Sequence, residues 1–159
     1  MVDKRLILRK LADLGDLRTQ IDEFRGMTMR QYAADWKAQR VVERTLQMMI
    51  EICLDVANHI ISGKGCRRPL GYADHFTVLK EHGILNPRLC ARLEKMARFR
   101  NLIVHNYDKI DSALVIGLLK KNLSDFDDFK SAIVVFLEPE NQGTQRTSGK
   151  RKQAKRVKD

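Results

Sequence analysis

Apolar residues recur every three to four positions along most of the first 138 residues, which is the spacing of a buried helix face. The spacing predicts a first helix that Asp3 caps and that ends at Gly26. After a short turn of helix or an irregular link, it predicts a long second helix from about Asp35 to Gly63. A helix of about 27 residues is about 40 Å long. We expect it to form the spine of a helical bundle.

Three more helices are predicted in the second half of the chain. One runs from about residue 72 to 81, one begins at Asn86-Pro87, and the last runs from Asp111 to about residue 138. The order of Asn86 and Pro87 is typical of a helix start, because the amide caps the first turn and proline fits its first position. The predicted fold class is all-α, an up-and-down bundle of about five helices formed by residues 1–138.

Positive charge is concentrated at the end of the chain. The sequence carries a net charge of +10. Residues 141–159 contain 7 Lys or Arg and 1 acid, a balance of +6, which leaves +4 for residues 1–140. The segment 139–159 has almost no apolar residues, so we predict a disordered basic tail. It serves solvation or non-specific attraction to nucleic acid, or alternatively acts as a specific binding arm.

Several classes of protein are not indicated by the sequence. The cysteines Cys53, Cys66 and Cys90 are an odd number without metal-ligand spacing, which favours a reducing cytoplasm over a disulfide framework. The charged N-terminus is unlike a secretion signal, and the apolar runs are too short to span a membrane. No nucleotide-binding loop, zinc pattern or serine nucleophile motif is found. We therefore expect no cofactor and no metal.

Polar chemistry interrupts the apolar pattern on the predicted fourth helix. At about 100° per residue, Arg100 falls within the apolar arc of this helix. The apolar arc contains Leu93, Met96, Phe99, Ile103 and Val104, and the opposite arc contains Glu94, Arg98, Asn101 and His105. A buried guanidinium without a partner is costly, so a carboxylate, a phosphate ligand or a wet groove is expected beside it. A structural ion pair or a side chain that reaches the edge is the alternative.

Two acids on the second helix are candidate partners for this arginine. Either Glu51 or Asp55 turns inward to receive Arg100 or to orient His105. In the alternative interpretation, Asp55 pairs with His59, which lies four residues later on the same helix.

The sequence Arg98-Phe99-Arg100-Asn101-Leu102-Ile103-Val104-His105-Asn106-Tyr107 resembles the signature of the HEPN superfamily and is similar to its HepT-like branch. The predicted helices of residues 1–138 also match the layout of that family. The resemblance implies a small all-helical ribonuclease toxin, homodimeric, with a minimal nucleotidyltransferase antitoxin as its partner. It implies metal-independent cleavage of RNA.

The resemblance also implies roles for individual residues. Arg100 and His105 are the catalytic pair, with Asn101, Tyr107 and Arg98 supporting them or binding substrate. It further implies that the antitoxin attaches AMP to Tyr107, although neutralisation by binding alone stays open.

The positions of Arg100 and His105 pose a geometric problem. Five residues separate them, which is about 140° around an ideal helix. Either the helix loosens before His105, or a two-fold dimer brings both side chains into one cleft. Two other functions stay open: a non-catalytic nucleotide- or partner-binding subunit of a nucleotidyltransferase, and a plain helical scaffold in which Arg100 is a structural ion pair.

Overall fold

A computed structural model describes residues 1–106, 108 and 110–139. This part of the chain contains seven α-helices and no strand, which confirms the all-α prediction. The helices are α1 (Lys4–Ile21), α2 (Met29–Ala34), α3 (Trp36–Lys64), α4 (Tyr72–Glu81), α5 (Pro87–His105), α6 (Ser112–Lys121) and α7 (Ser124–Leu137), and the 3-10 turn Asp22–Phe24 follows α1.

Side-chain caps begin the predicted helices where the sequence placed them. The Asp3 carboxylate accepts a hydrogen bond from the Leu6 N–H at 3.1 Å. At the start of α5, the Asn86 side chain accepts from the Leu89 N–H at 2.8 Å. Each cap satisfies a backbone donor that the first helical turn leaves without a partner. The Asp111 carboxylate does the same for α6.

The number of helices differs from the predicted five for two reasons. First, α2 is a full short helix closed by a capping box, in which Thr28 and Gln31 exchange side-chain and backbone hydrogen bonds. Second, the last predicted helix divides at Asn122 and Leu123 into α6 and α7. Leu123 is buried in this turn. The apolar spacing continues across the break, so periodicity alone did not reveal it.

The long helix α3 is the spine of the bundle, as predicted. It packs against α1, α2, α4, α5 and α7, and eleven of its residues are buried. The core between the helices is closed by large side chains such as Phe76 of α4 and Phe129 of α7, whose rings meet edge to face at 6.1 Å. Among the described helices, none is both long and apolar enough to cross a membrane.

The link between α3 and α4 is fixed by one arginine. Gly65 ends α3 in the left-handed region at φ +66°, where glycine carries no steric penalty. Arg67 then donates to Asp74 at 2.8 and 2.9 Å and to Glu81 at 2.9 Å. The hydrogen bonds that Asp74 accepts from Arg67 and from the Leu70 N–H lower its pKa to about 2. The network ties the link to the start of α4, where Tyr72 lies.

Candidate active site

Arg100 is held by a carboxylate of α3. Its Nε and Nη2 atoms donate to Oε1 of Glu51 at 3.2 and 3.1 Å, and its Nη1 donates to Oδ1 of Asn101 at 3.3 Å. The same Glu51 oxygen accepts from Gln47 Nε2 at 3.1 Å. Only 15% of the Arg100 side chain is exposed. The predicted inward-facing carboxylate is therefore Glu51.

Asp55, the second candidate, lies outside this cluster. It is exposed and pairs with Lys10 of α1 at 3.3 Å. The interpretation that Asp55 pairs with His59 was also wrong, because His59 Nε2 accepts a hydrogen bond from the Asp3 backbone N–H at 3.1 Å. Asp55 and His59 thus contact α1 and its N-cap residue and not each other, so helix packing decided between the alternatives.

Tyr72 is a member of the cluster that sequence reasoning missed. The guanidinium carbon of Arg100 lies 4.7 Å from the centre of the Tyr72 ring, a cation–π arrangement. Tyr72 is 45% exposed, and the imidazole of His75 lies beside its ring, with 6.1 Å between the ring centres and 25° between the ring planes. No local signal in the sequence links Tyr72 to Arg100. The contact arises because α4 packs against α5 in the antiparallel sense, with Tyr72 near Arg100 and Thr77 near Glu94.

His105 is the last residue of α5, and it is exposed. The helix stays regular up to this point, since the Asn106 N–H still donates to the Leu102 carbonyl at 2.9 Å. Loosening of the helix before His105 is therefore not what brings the two catalytic candidates together. Val104, which the helical projection placed on the apolar arc, is also exposed.

Arg98 lies on the other side of α5 from Arg100. It is exposed and contacts Glu94 weakly, with 4.0 Å between Nη2 and Oε2. Beside it, a groove of about 540 Å³ separates α5 from α6. The groove is lined mainly by apolar side chains, among them Phe99, Leu102 and Leu114. The structure thus does not bring Arg98 together with Arg100.

Two predicted features lie outside the described residues. These are Tyr107 and the basic tail beyond residue 139. In the described part of the chain, no group of three or more His, Cys, Asp or Glu side chains is arranged to hold a metal ion.

Comparison with known families gives a match over most of the chain. The model of a family described as "Ribonuclease HepT-like" matches residues 14–133. The protein "mRNA nuclease HepT" of Shewanella oneidensis is 30% identical over 128 residues, which cover 80% of this chain and 96% of that protein. A "tRNA nuclease HepT" of Aphanizomenon flos-aquae is 24% identical, covering 88% of this chain and 97% of that protein.

Solved structures agree with this match. A toxin–antitoxin complex crystallised with AMP-PNP contains a chain with a TM-score of 0.78 and 28% identity, over 83% of this chain and 99% of that chain. The tri-AMPylated Shewanella oneidensis HEPN toxin, in complex with its MNT antitoxin, gives a TM-score of 0.77 and 28% identity, over 84% and 99% of the two chains. The cytosolic protein YutE of Bacillus subtilis, of unknown function, gives 0.75 and 25%, over 87% and 93%.

Proposed function

Since this chain belongs to the HepT-like ribonuclease family, we propose that it is an endoribonuclease toxin that cleaves RNA with Arg100 and His105. The observation that carries the proposal is how Arg100 is held inside the bundle. Its guanidinium is oriented by Glu51 and Asn101, and 15% of the Arg100 side chain remains exposed. A cation held in this way is suited to bind a phosphate without first being ordered.

The hydrogen-bond count of Arg100 supports this role. A guanidinium has five N–H donors. The contacts with described residues use three of them, one on each nitrogen. The remaining two, on Nη1 and Nη2, are able to donate to two oxygens of one phosphate, which is the forked geometry that arginine prefers.

The reaction that these groups support is an internal transfer at phosphorus. His105 takes the proton of a ribose 2′-hydroxyl, and the 2′-oxygen forms a bond to the adjacent phosphorus as the bond to the 5′-oxygen breaks. The leaving 5′-oxygen receives a proton from His105 in its imidazolium form. Arg100 stabilises the charge that accumulates on the phosphate oxygens. The products are a 2′,3′-cyclic phosphate and a 5′-hydroxyl, and no metal ion takes part in the scheme.

A homodimer supplies the geometry that one protomer lacks. Arg100 and His105 point about 140° apart on a regular helix, and α5 remains helical through His105. We infer that two copies place their α5 ends in one cleft, where His105 of either copy lies near the phosphate held by Arg100. Arg98 and the groove beside it then serve substrate or dimer contacts.

A nucleotidyltransferase antitoxin is the proposed protein partner. The relative from Shewanella oneidensis is seen AMPylated in complex with such a partner. By analogy, we propose that Tyr107 of this chain receives AMP and that the added bulk and charge block the cleft. A cytoplasmic location fits this role and the described free cysteines.

The test is cleavage of an end-labelled RNA pool by the full-length protein in excess EDTA. Wild type is compared with His105→Ala, after size-exclusion chromatography shows that both elute alike and melting curves show that both fold. We expect wild type to release fragments with 2′,3′-cyclic phosphate ends. We expect the variant to lose at least about a hundredfold in rate.

Two results would contradict the proposal. Equal cleavage by wild type and His105→Ala would remove His105 from the chemistry, and 3′-hydroxyl ends on the upstream fragments would exclude attack by the 2′-oxygen. If wild type does not cleave, its intact mass shows whether AMP is attached. An unmodified, inactive protein would favour the non-catalytic nucleotide- or partner-binding subunit instead.

A further inference from the structure

The contact between Tyr72 and Arg100 extends the site beyond the phosphate. We propose that the Tyr72 ring stacks on an unpaired nucleobase next to the phosphate that Arg100 holds, so the enzyme cuts RNA where a base is free of pairing. The inference rests on the proposed ribonuclease function and adds the class of RNA structure that the site accepts.

The exposure of Tyr72 is the first observation in its favour. Tyr72 is 45% exposed, although its ring centre lies only 4.7 Å from the guanidinium carbon of Arg100, whose side chain is largely buried. Aromatic side chains next to cationic groups are the surfaces on which proteins stack the bases of single strands, because every base offers a flat face. A nucleotide has both a phosphate and a base. Arg100 offers a group for the phosphate, and Tyr72 offers one for the base.

The second observation is that the chain on both sides of Tyr72 is held by hydrogen bonds before any ligand binds. The Leu70 N–H donates to the Asp74 carboxylate at 2.8 Å, and Arg67 holds that carboxylate from the other side. His75 Nδ1 lies 2.9 Å from the Gly71 carbonyl, which can only accept, so Nδ1 carries the hydrogen. A platform that is already ordered loses little entropy when a base stacks on it.

The neighbouring imidazole enlarges the flat surface. At 6.1 Å between ring centres and 25° between ring planes, His75 is displaced from the tyrosine and covers it only in part. A base in a duplex is already stacked and paired, whereas the base of a loop or single strand is free to be stacked on a side chain. The platform therefore favours unpaired RNA.

Trp36 provides a matched control on the same protein. It is also an exposed aromatic, at 65%, with a cation over its ring, since Lys37 Nζ lies 5.7 Å from the ring centre. It lies about 22 Å along α3 from Glu51, far from the candidate site. An effect of aromatic surface in general would appear at both positions, while an effect of the site appears at Tyr72 alone.

The experiment measures binding and cleavage by the full-length protein. Binding is followed by fluorescence anisotropy with a labelled 2′-O-methyl RNA, which resists cleavage by the proposed chemistry. We expect Tyr72→Ala to weaken binding roughly tenfold, as loss of one stacked base does elsewhere. We expect Tyr72→Phe and Trp36→Ala to bind like wild type. Melting curves check that every variant is folded.

Cleavage distinguishes stacking from an indirect effect through Arg100. The RNA cut site is mapped, and an abasic ribose then replaces the base on each side of it in turn. We expect one replacement to raise the KM of wild type by about the same factor as Tyr72→Ala. In the Tyr72→Ala protein the same replacement should change nothing further, because the stacking contact is already absent. Pairing this RNA with its complement should abolish cleavage by wild type.

The outcomes separate this inference from the proposed function. Additive effects of Tyr72→Ala and the abasic ribose, or cleavage of duplex as fast as single strand, would overturn the stacking role while the ribonuclease function stands. If wild type whose intact mass shows no attached AMP cuts no RNA, the proposed function fails, and the anisotropy measurements alone decide whether Tyr72 binds a base. Equal binding by wild type and Tyr72→Ala would then overturn the inference too.

Discussion

Two arginines of this protein are both paired with acids, yet their surroundings differ. Arg67 lies at the surface with 41% of its side chain exposed and is gripped by two carboxylates, Asp74 and Glu81. Arg100 is only 15% exposed, has one carboxylate, and is flanked by the Tyr72 ring and the Asn101 amide. One cluster carries an excess negative charge, and the other is neutral.

The difference between the two clusters separates a structural role from a functional one. Arg67 uses donors on all three nitrogens for two acids, so an incoming phosphate meets a site that is already acidic. Arg100 is ordered by a single carboxylate and retains donors for another anion. Orientation combined with incomplete neutralisation is what an anion-binding arginine needs.

Replacement of Arg100 is expected to have the largest effect on activity. Arg100→Ala removes the cation that stabilises the phosphate charge, so the cleavage rate should fall at least about a hundredfold. Stability should fall by only about 1 kcal/mol, because Glu51 is 34% exposed and can be hydrated. Arg100→Lys keeps the charge but not the fork and should recover part of the rate.

The matched measurement is chemical denaturation of Arg100→Ala and His105→Ala. If Arg100 were a structural ion pair in a plain helical scaffold, its loss would destabilise the protein far more than the loss of His105. Comparable stability of the two variants, together with loss of cleavage in both, supports the functional interpretation.

Replacement of Glu51 is expected to have an intermediate effect. Glu51→Gln weakens the hold on Arg100 without removing the cation, so the cleavage rate should fall about tenfold through poorer orientation. Asp55→Asn is the control, since Asp55 lies one turn further along α3 and pairs with Lys10 instead. Cleavage kinetics of the two variants decide the point, and equal rates would show that Glu51 does not position Arg100.

Replacement of Arg67 is expected to change acid stability and to affect cleavage least. Arg67 keeps the pKa of Asp74 at about 2 and lowers that of Glu81. A lowered carboxyl pKa stabilises the folded state above the ordinary value near 4, and this contribution is lost as the pH falls toward 2. At pH 7, wild type should therefore have a higher melting temperature than Arg67→Ala. This difference should disappear between about pH 4 and pH 2.

Thermal melts over this pH range provide the measurement. The rate of cleavage by Arg67→Ala should stay within a few-fold of wild type, since the Arg67 cluster supports Tyr72 but does not bind the phosphate. A gap in melting temperature that is independent of pH would show that Arg67 acts through packing alone. A loss of cleavage as large as that of Arg100→Ala would remove the distinction between the two arginines.

The sequence alone determined the all-α fold, most helix boundaries and the position of the motif. These follow from local rules: apolar residues at helical spacing, caps such as Asp3 and Asn86, and the interruption of the apolar arc by Arg100. Local rules failed at Asn122 and Leu123, where a turn keeps the apolar spacing of the flanking helices. Val104 lies on the apolar arc of the projection but is exposed. A helical projection does not show which part of an apolar arc is covered by neighbouring helices.

The tertiary structure decided which side chains surround Arg100. Arg100 contacts Glu51 and not Asp55 because of how α1 and α5 pack against α3. Glu51 faces Arg100 of α5, whereas Asp55 pairs with Lys10 of α1. The contact between Tyr72 and Arg100 depends on the antiparallel packing of α4 and α5. Charge and spacing within one helix limit the possible partners, but contacts between distant parts of the chain depend on helix packing, which no local pattern encodes.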